Sequence, residues 1–336
     1  MTTTTLRQLL WRHYRGMLLP VLVIMGLTGL KAATNMTQNS GKLFNNAGYI
    51  ASDSDLLMLA VSVVIAIILG WLMFTWDNYT AFNHYLLALP VTRRRIYRVK
   101  VGLFTGMFIG SYVLMQAVFL GLLALIKRSD AIYNLNWGAD LRYLISQLVC
   151  LVAAMSISAA WGLWLGQTVG SAITTFIFMC SLPFAFDGLM NIVAYLTGQK
   201  PWSINPLNEL DQSTWLGFSV LIAGSLVIWL GCTYLNRWAF DHLSLESTGD
   251  YFLFPKLRPI FLWSVIAYLT VAVSFSSFGM LLVEIVTNHY NQTIPWYQSV
   301  IMAMLVAYLT WSIGRWILYR PDKIRNAFKF KRLDNH

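Results

Sequence analysis

An all-helical protein that crosses a membrane about eight times is the fold this sequence predicts, and three observations predict it. Of the 336 residues, 57% are hydrophobic and only 11% are charged, whereas soluble domains carry roughly 25% charged residues. Eight apolar runs, at 17–33, 56–76, 101–126, 143–165, 171–196, 214–235, 260–285 and 295–318, approach the ~20 residues that a helix needs to cross about 30 Å of hydrocarbon. Helices suit such runs because each satisfies its own backbone hydrogen bonds away from water. Third, the basic residues alternate in density between connections, with eighteen on one side of the spans and six on the other. That bias places both termini in the cytoplasm and the chain in the cell membrane. The net charge of +10 therefore reports orientation rather than nucleic-acid binding, since no aromatic-basic RNA motif accompanies it.

Residues 4–15 (TTLRQLLWRHYR) predict an interfacial elbow helix, with Leu6, Leu9, Leu10 and His13 along one side and Arg7, Arg12 and Arg15 largely elsewhere. The three arginines, the apolar run and Ala32-Ala33 also fit a signal peptide, whose removal would leave seven spans. A polar, turn-rich outer loop follows at 34–54. The connection 77–100 is the most basic interior stretch. In it Phe82, Tyr85, Leu86 and Leu89 recur at helical spacing, which puts them on one face and leaves Asn83 and His84 off it. Pro90 ends that helix, and Thr92 stands where the next would be capped, with Arg93, Arg94 and Arg95 in its first turn. Cations at a helix N-terminus oppose its dipole by roughly 0.3–1 kcal/mol each, so a partner outside the helix must favour them. Anionic lipid offers about 1 kcal/mol per basic residue. The loop is then either an orientation signal alone or a coupling helix on which a soluble partner pushes.

Small residues recur every fourth position in the third span (Gly102, Gly106, Gly110) and the fourth (Ala154, Ser158, Gly162, Gly166, Gly170). Such stripes let helices approach closely, within the chain or across a dimer. Gln167–Gly170 makes a tight uncharged hairpin between spans four and five. Pro183 predicts a break or kink in the fifth span, with 184–196 as an outer half-helix and Pro201 and Pro206 in the loop beyond. Asp187 stands in that span roughly 24 Å from its start at 1.5 Å per residue. It is a candidate for a wetted or capping role or for the substrate path, and no second carboxylate, Lys or His stands at matching depth to make a proton relay. A mixed-charge cytoplasmic loop fills 236–259, and Ile324 and Phe328 lie one turn apart among basic residues in the tail, as in a surface helix. Cys150, Cys180 and Cys232 lie inside apolar runs as small hydrophobes, with neither a disulfide nor a metal pattern.

The stretch HYLLALPVTRRRIYRVK, a leucine-rich helix with Pro, then Thr and basic residues between spans two and three, resembles the membrane subunit of type-2 ATP-binding-cassette (ABC-2-like) exporters. The likeness covers residues 1–236: elbow, six spans, coupling loop 77–100 and broken fifth span; residues 237–336 add a loop, two spans and a basic tail. The resemblance implies that Phe82, Tyr85, Leu86, Leu89, Pro90, Arg93, Arg94 and Arg95 dock on a cytoplasmic ATP-binding-cassette ATPase. It also implies a second permease copy or paralogue, with ATP and magnesium held by the ATPase. A largely uncharged interior favours a hydrophobic or amphipathic cargo. The chain has no G-x-x-x-x-G-K-[ST], no H-E-x-x-H and no G-x-S-x-G, and its five histidines are scattered. It therefore reads as a transport subunit without bound cofactor rather than an enzyme. An ATPase-independent carrier or immunity-type scaffold is the alternative, and a membrane-embedded enzyme would need convergent polar residues at one depth.

Overall fold

In a computed structural model, which describes residues 3–39, 48–51, 56–198, 215–243, 251–287, 296–319 and Phe328, the apolar runs form long helices. They are α1 (Thr3–Asn39), α2 (Leu56–Tyr79), α3 (Phe82–Ala88), α4 (Arg93–Tyr133), α5 (Trp137–Trp164), α6 (Thr168–Thr197), α7 (Trp215–Asp241), α8 (Arg258–Ser274), α9 (Ser277–Thr287) and α10 (Trp296–Tyr319). Eight of the described helices are long and apolar enough to cross a membrane, and no strand occurs among the described residues. The protein is an all-α, multi-pass membrane protein.

The chain divides into two compact units, Met1–Trp164 with Glu209–Thr248, and Leu165–Asn208 with Gly249–His336. The first holds α1–α5 and α7, the second α6 and α8–α10. This division interleaves the chain, where the sequence suggested a linear partition at residue 236. In the first unit α1 packs along α4, α2 along α5 and α5 along α7. The α2–α5 contact rests on glycine, because a Cβ on Gly70 would collide with the Met155 carbonyl and one on Gly162 with that of Trp71. At one end, Gly48 N–H donates to Asn134 O (2.8 Å) and Asn136 N–H to Tyr49 O (3.0 Å), pinning the α1–α2 connection to the α4–α5 turn. Burial, then the nearby Asp140, raises the Tyr49 phenol above its ordinary pKa.

Four expectations need correction. No separate elbow forms, since residues 4–15 belong to a single helix α1 that continues through Pro20. The fifth span is not broken, since α6 runs unbroken from Thr168 to Thr197 with Pro183 inside. Pro183 leaves the Met179 carbonyl without its helical donor; one residue earlier, Phe178 O accepts from Ser181 Oγ (3.1 Å) and Tyr268 OH (3.2 Å). The seventh span is the one that breaks, at Phe275–Ser276. There Ser276 Oγ donates to Ala272 O (2.5 Å) and accepts from the Phe278 N–H (3.1 Å), capping α9. Finally, Gly102, Gly106 and Gly110 make no close helix contact within the chain, since a Cβ on any of them would meet no atom of the described residues within 4 Å. Pro201, Pro206 and all but Phe328 of the tail lie outside the described residues.

The two kinds of glycine predict opposite outcomes. Gly70→Leu should cost about 1–3 kcal/mol or more by overpacking and lower the thermal midpoint of the detergent-solubilised protein. Gly110→Leu should leave that midpoint within the error of the measurement.

Candidate functional site

The site begins with residues that close packing forces together. On α1, Leu10, Tyr14 and Leu18 are fully buried at intervals of four, one face turned inward. On α4 the buried face is Ile96, Tyr97, Lys100, Phe104 and Phe108, so a lysine takes a position that spacing reserves for an apolar side chain. Lys100 is 0% exposed, and so is Asp77 near the end of α2. The Lys100 ammonium donates to Asp77 Oδ2 and the Tyr14 hydroxyl to Asp77 Oδ1, both at short contact. The ammonium also lies 4.6 Å from the Phe74 ring centroid and 5.4 Å from that of Tyr14, as a desolvated cation does over an aromatic face. Phe74 in turn packs against Tyr97 (6.1 Å) and Phe240 of α7 (5.9 Å). An unpaired charge here would cost several kcal/mol, and the pair persists because each charge has a partner and hydrogen bonds.

Helix α3 sits directly on this cluster. Phe82 stacks on His13 at 3.8 Å, and His13 lies edge-on to Tyr14 at 4.8 Å. Of the predicted apolar face, Leu86 is 0% exposed, Phe82 and Leu89 are half-buried, and Tyr85 is 52% exposed. Asn83, placed off that face by the spacing, is buried and donates to Asn78 Oδ1 (2.5 Å). The helix is set between two backbone corners: Ala81 in the left-handed region (φ 55°) and the extended Leu89 before Pro90. For a residue with a Cβ the first corner costs about 1–2 kcal/mol.

The arginines that follow find protein partners. Arg93 donates to the carbonyls of Asp241 (3.0 Å) and Leu243 (2.9 Å), which lie at the C-terminus of α7. Arg94 pairs with the Asp241 carboxylate at 3.0 Å. Arg95 donates to Thr3 Oγ1. The dipole that opposes these cations at the start of α4 is thus offset by the complementary end of α7. Thr92 O accepts from Ile96 N–H (3.2 Å), so Thr92 holds the N-cap position expected of it.

The other predicted residues lie apart from this cluster. Gly166 is in the α5–α6 connection and donates to Tyr251 O (3.1 Å), while Gly170 faces the Tyr251 ring. Burial raises the Tyr251 phenol, and its hydrogen bond to Thr174 opposes that shift. Asp187, in the second unit, accepts from the Ser277 N–H at 2.7 Å and so caps α9 across the break, while Asn191 donates to Phe275 O at 2.9 Å. The second unit also carries a partly open apolar pocket of about 220 Å³, lined by Phe178, Tyr251, Phe261, Leu262, Thr310 and Ile317 among others. Among the described residues no group of three His, Cys, Asp or Glu could hold a metal ion.

Sequence reasoning assigned Asp77 and Lys100 to the ends of the basic connection between spans two and three and missed the pair. The signal was present: Lys100 falls on the stripe of Ile96, Tyr97 and Phe104, where a lysine needs a counter-ion. No family model matches the chain, and neither a curated protein nor a solved structure matches it.

A double-mutant cycle checks the pair. Lys100→Met or Asp77→Asn alone should destabilise by about 3–5 kcal/mol. The double variant should recover much of that loss in thermal denaturation.

Proposed function

We propose that this chain is the permease subunit of an ATP-driven exporter in a bacterial-type cytoplasmic membrane, moved by a separate ATPase that docks on α3. The carrying observation is the seat of α3: Phe82 and Leu86 turn toward the protein, Tyr85 and His84 turn outward, and Phe82 stacks on the helix that bears Tyr14. A push on the exposed face would travel through Phe82 and His13 to the Tyr14–Asp77–Lys100 group, where α1, α2 and α4 are tied together. Two backbone corners, at Ala81 and Leu89–Pro90, let α3 shift as a unit between rigid neighbours. The density of basic residues beside α3 supports a cytoplasmic location for it.

In this reading Tyr85 belongs to the docking face, whereas Arg93 and Arg94 hold α4 to α7. The apolar pocket of the second unit supports a hydrophobic or amphipathic cargo. A second copy or a paralogue completes the pathway, and the ATPase supplies ATP and magnesium.

Co-purification with a soluble ATP-binding-cassette ATPase, sought in the reading frames neighbouring this chain's, tests the proposal. Tyr85→Ala with His84→Ala should cut the ATPase recovered at least tenfold while leaving the permease folded. Asp77→Asn with Lys100→Met should keep the ATPase bound but lower transport per ATP hydrolysed. Undiminished recovery with the first variant would remove the docking assignment.

A further inference from the structure

We infer that the groove between the N-terminal turns of α1 and the third and fourth turns of α4 binds one anionic phospholipid; the inference does not depend on the transport reading. The groove has a volume of about 550 Å³ and is lined by Arg7, Gln8 and Trp11 of α1 and by Gly102, Gly106 and Met107 of α4, among others. That size falls within the roughly 300–1,000 Å³ of small-molecule sites.

Its shape follows from one stripe of α4. Arg95, Arg98, Gly102 and Gly106 lie at successive intervals of three or four and so share a face. The arginines stand at the N-terminal end, and the glycines begin where the apolar run begins. Open space stands where a Cβ on Gly102 or Gly106 would be, so the glycines form a floor rather than a helix contact. The same face continues to Gly110 and to the exposed Val113. The groove is thus polar and basic at its mouth and apolar along its length, the pattern of an amphiphile with its head at the α1 end.

Charge selects the head group. Arg7 and Arg98 are exposed, and neither is paired with a carboxylate among the described residues. Helix α1 contains no Asp or Glu, and the single acid of α4, Asp130, stands at its far end. Trp11 also lines the groove, and indole rings favour the head-group region. A phosphate without a compensating cation fits this mouth, a quaternary ammonium does not, and the apolar floor distinguishes a lipid from a free phosphate.

The test uses the full chain, purified in detergent with equal phosphatidylglycerol and phosphatidylcholine, with retained lipid counted by native mass spectrometry. The protein should retain phosphatidylglycerol over phosphatidylcholine by at least the roughly fivefold that one basic residue supplies. Arg7→Gln with Arg98→Gln should abolish that preference while lipid still binds. Gly106→Leu, which fills open space and should keep its helical circular dichroism and thermal midpoint, should lose the bound lipid. Equal retention of the two lipids by the unaltered protein overturns the inference, as does undiminished phosphatidylglycerol on the Gly106→Leu chain. A lipid-free dimer that Gly106→Leu dissociates would overturn it too, and would give the groove to a second copy.

Discussion

The first unit depends on a charge that cannot be left alone. Lys100 and Asp77 have no solvent exposure, and the attraction that holds them together also fixes the helices that bear them. Asp77 accepts from both Tyr14 and Lys100, so α1, α2 and α4 meet at one carboxylate. Separating any of these helices there would expose an ion to a medium that solvates it poorly, at a cost of several kcal/mol. Apolar packing alone would let the same helices slide, because lipid chains are as apolar as leucine. The ion pair therefore supplies register where the hydrophobic effect supplies little.

A second constraint joins the start of α4 to the end of α7. Arg93 satisfies the carbonyls of Asp241 and Leu243, and Arg94 takes the Asp241 carboxylate. Two helix ends of opposite partial charge are thus set against each other, and cations that oppose their own dipole serve the neighbouring one. Between this clasp and the buried pair, α4 is held at both of its first two turns. Helix α3 lies beside that held region, with Phe82 against His13.

The breaks and close approaches follow the same logic of backbone satisfaction. Pro183 removes one donor, yet α6 continues from Thr168 to Thr197, with Ser181 and Tyr268 donating to the Phe178 carbonyl one residue before the one it frees. Ser276, with no ring to force it, ends α8 because its hydroxyl offers the backbone a competing partner and because Asp187 receives the first N–H of α9. Here the proline lies inside a continuous helix, while the serine stands at the break. Glycine behaves likewise: Gly70 and Gly162 touch backbone, while Gly102 and Gly106 open onto a groove.

Hydropathy and charge by themselves determined the spans, the helix following Trp76 and the Pro90 corner, because each rests on length, periodicity or a missing N–H. Asp187 caps α9, one of the roles its depth allowed, whereas Leu86, which the resemblance put on the docking face, is fully buried within the chain. Only the tertiary structure decided that Asp77 and Lys100 are partners, since they stand twenty-three residues apart and the link exists only once α2 and α4 lie side by side. It also decided that Arg93 caps α7, 148 residues away, and which glycine stripe meets a neighbour. A period gives the face of a helix, whereas what stands opposite that face depends on chain that period does not encode.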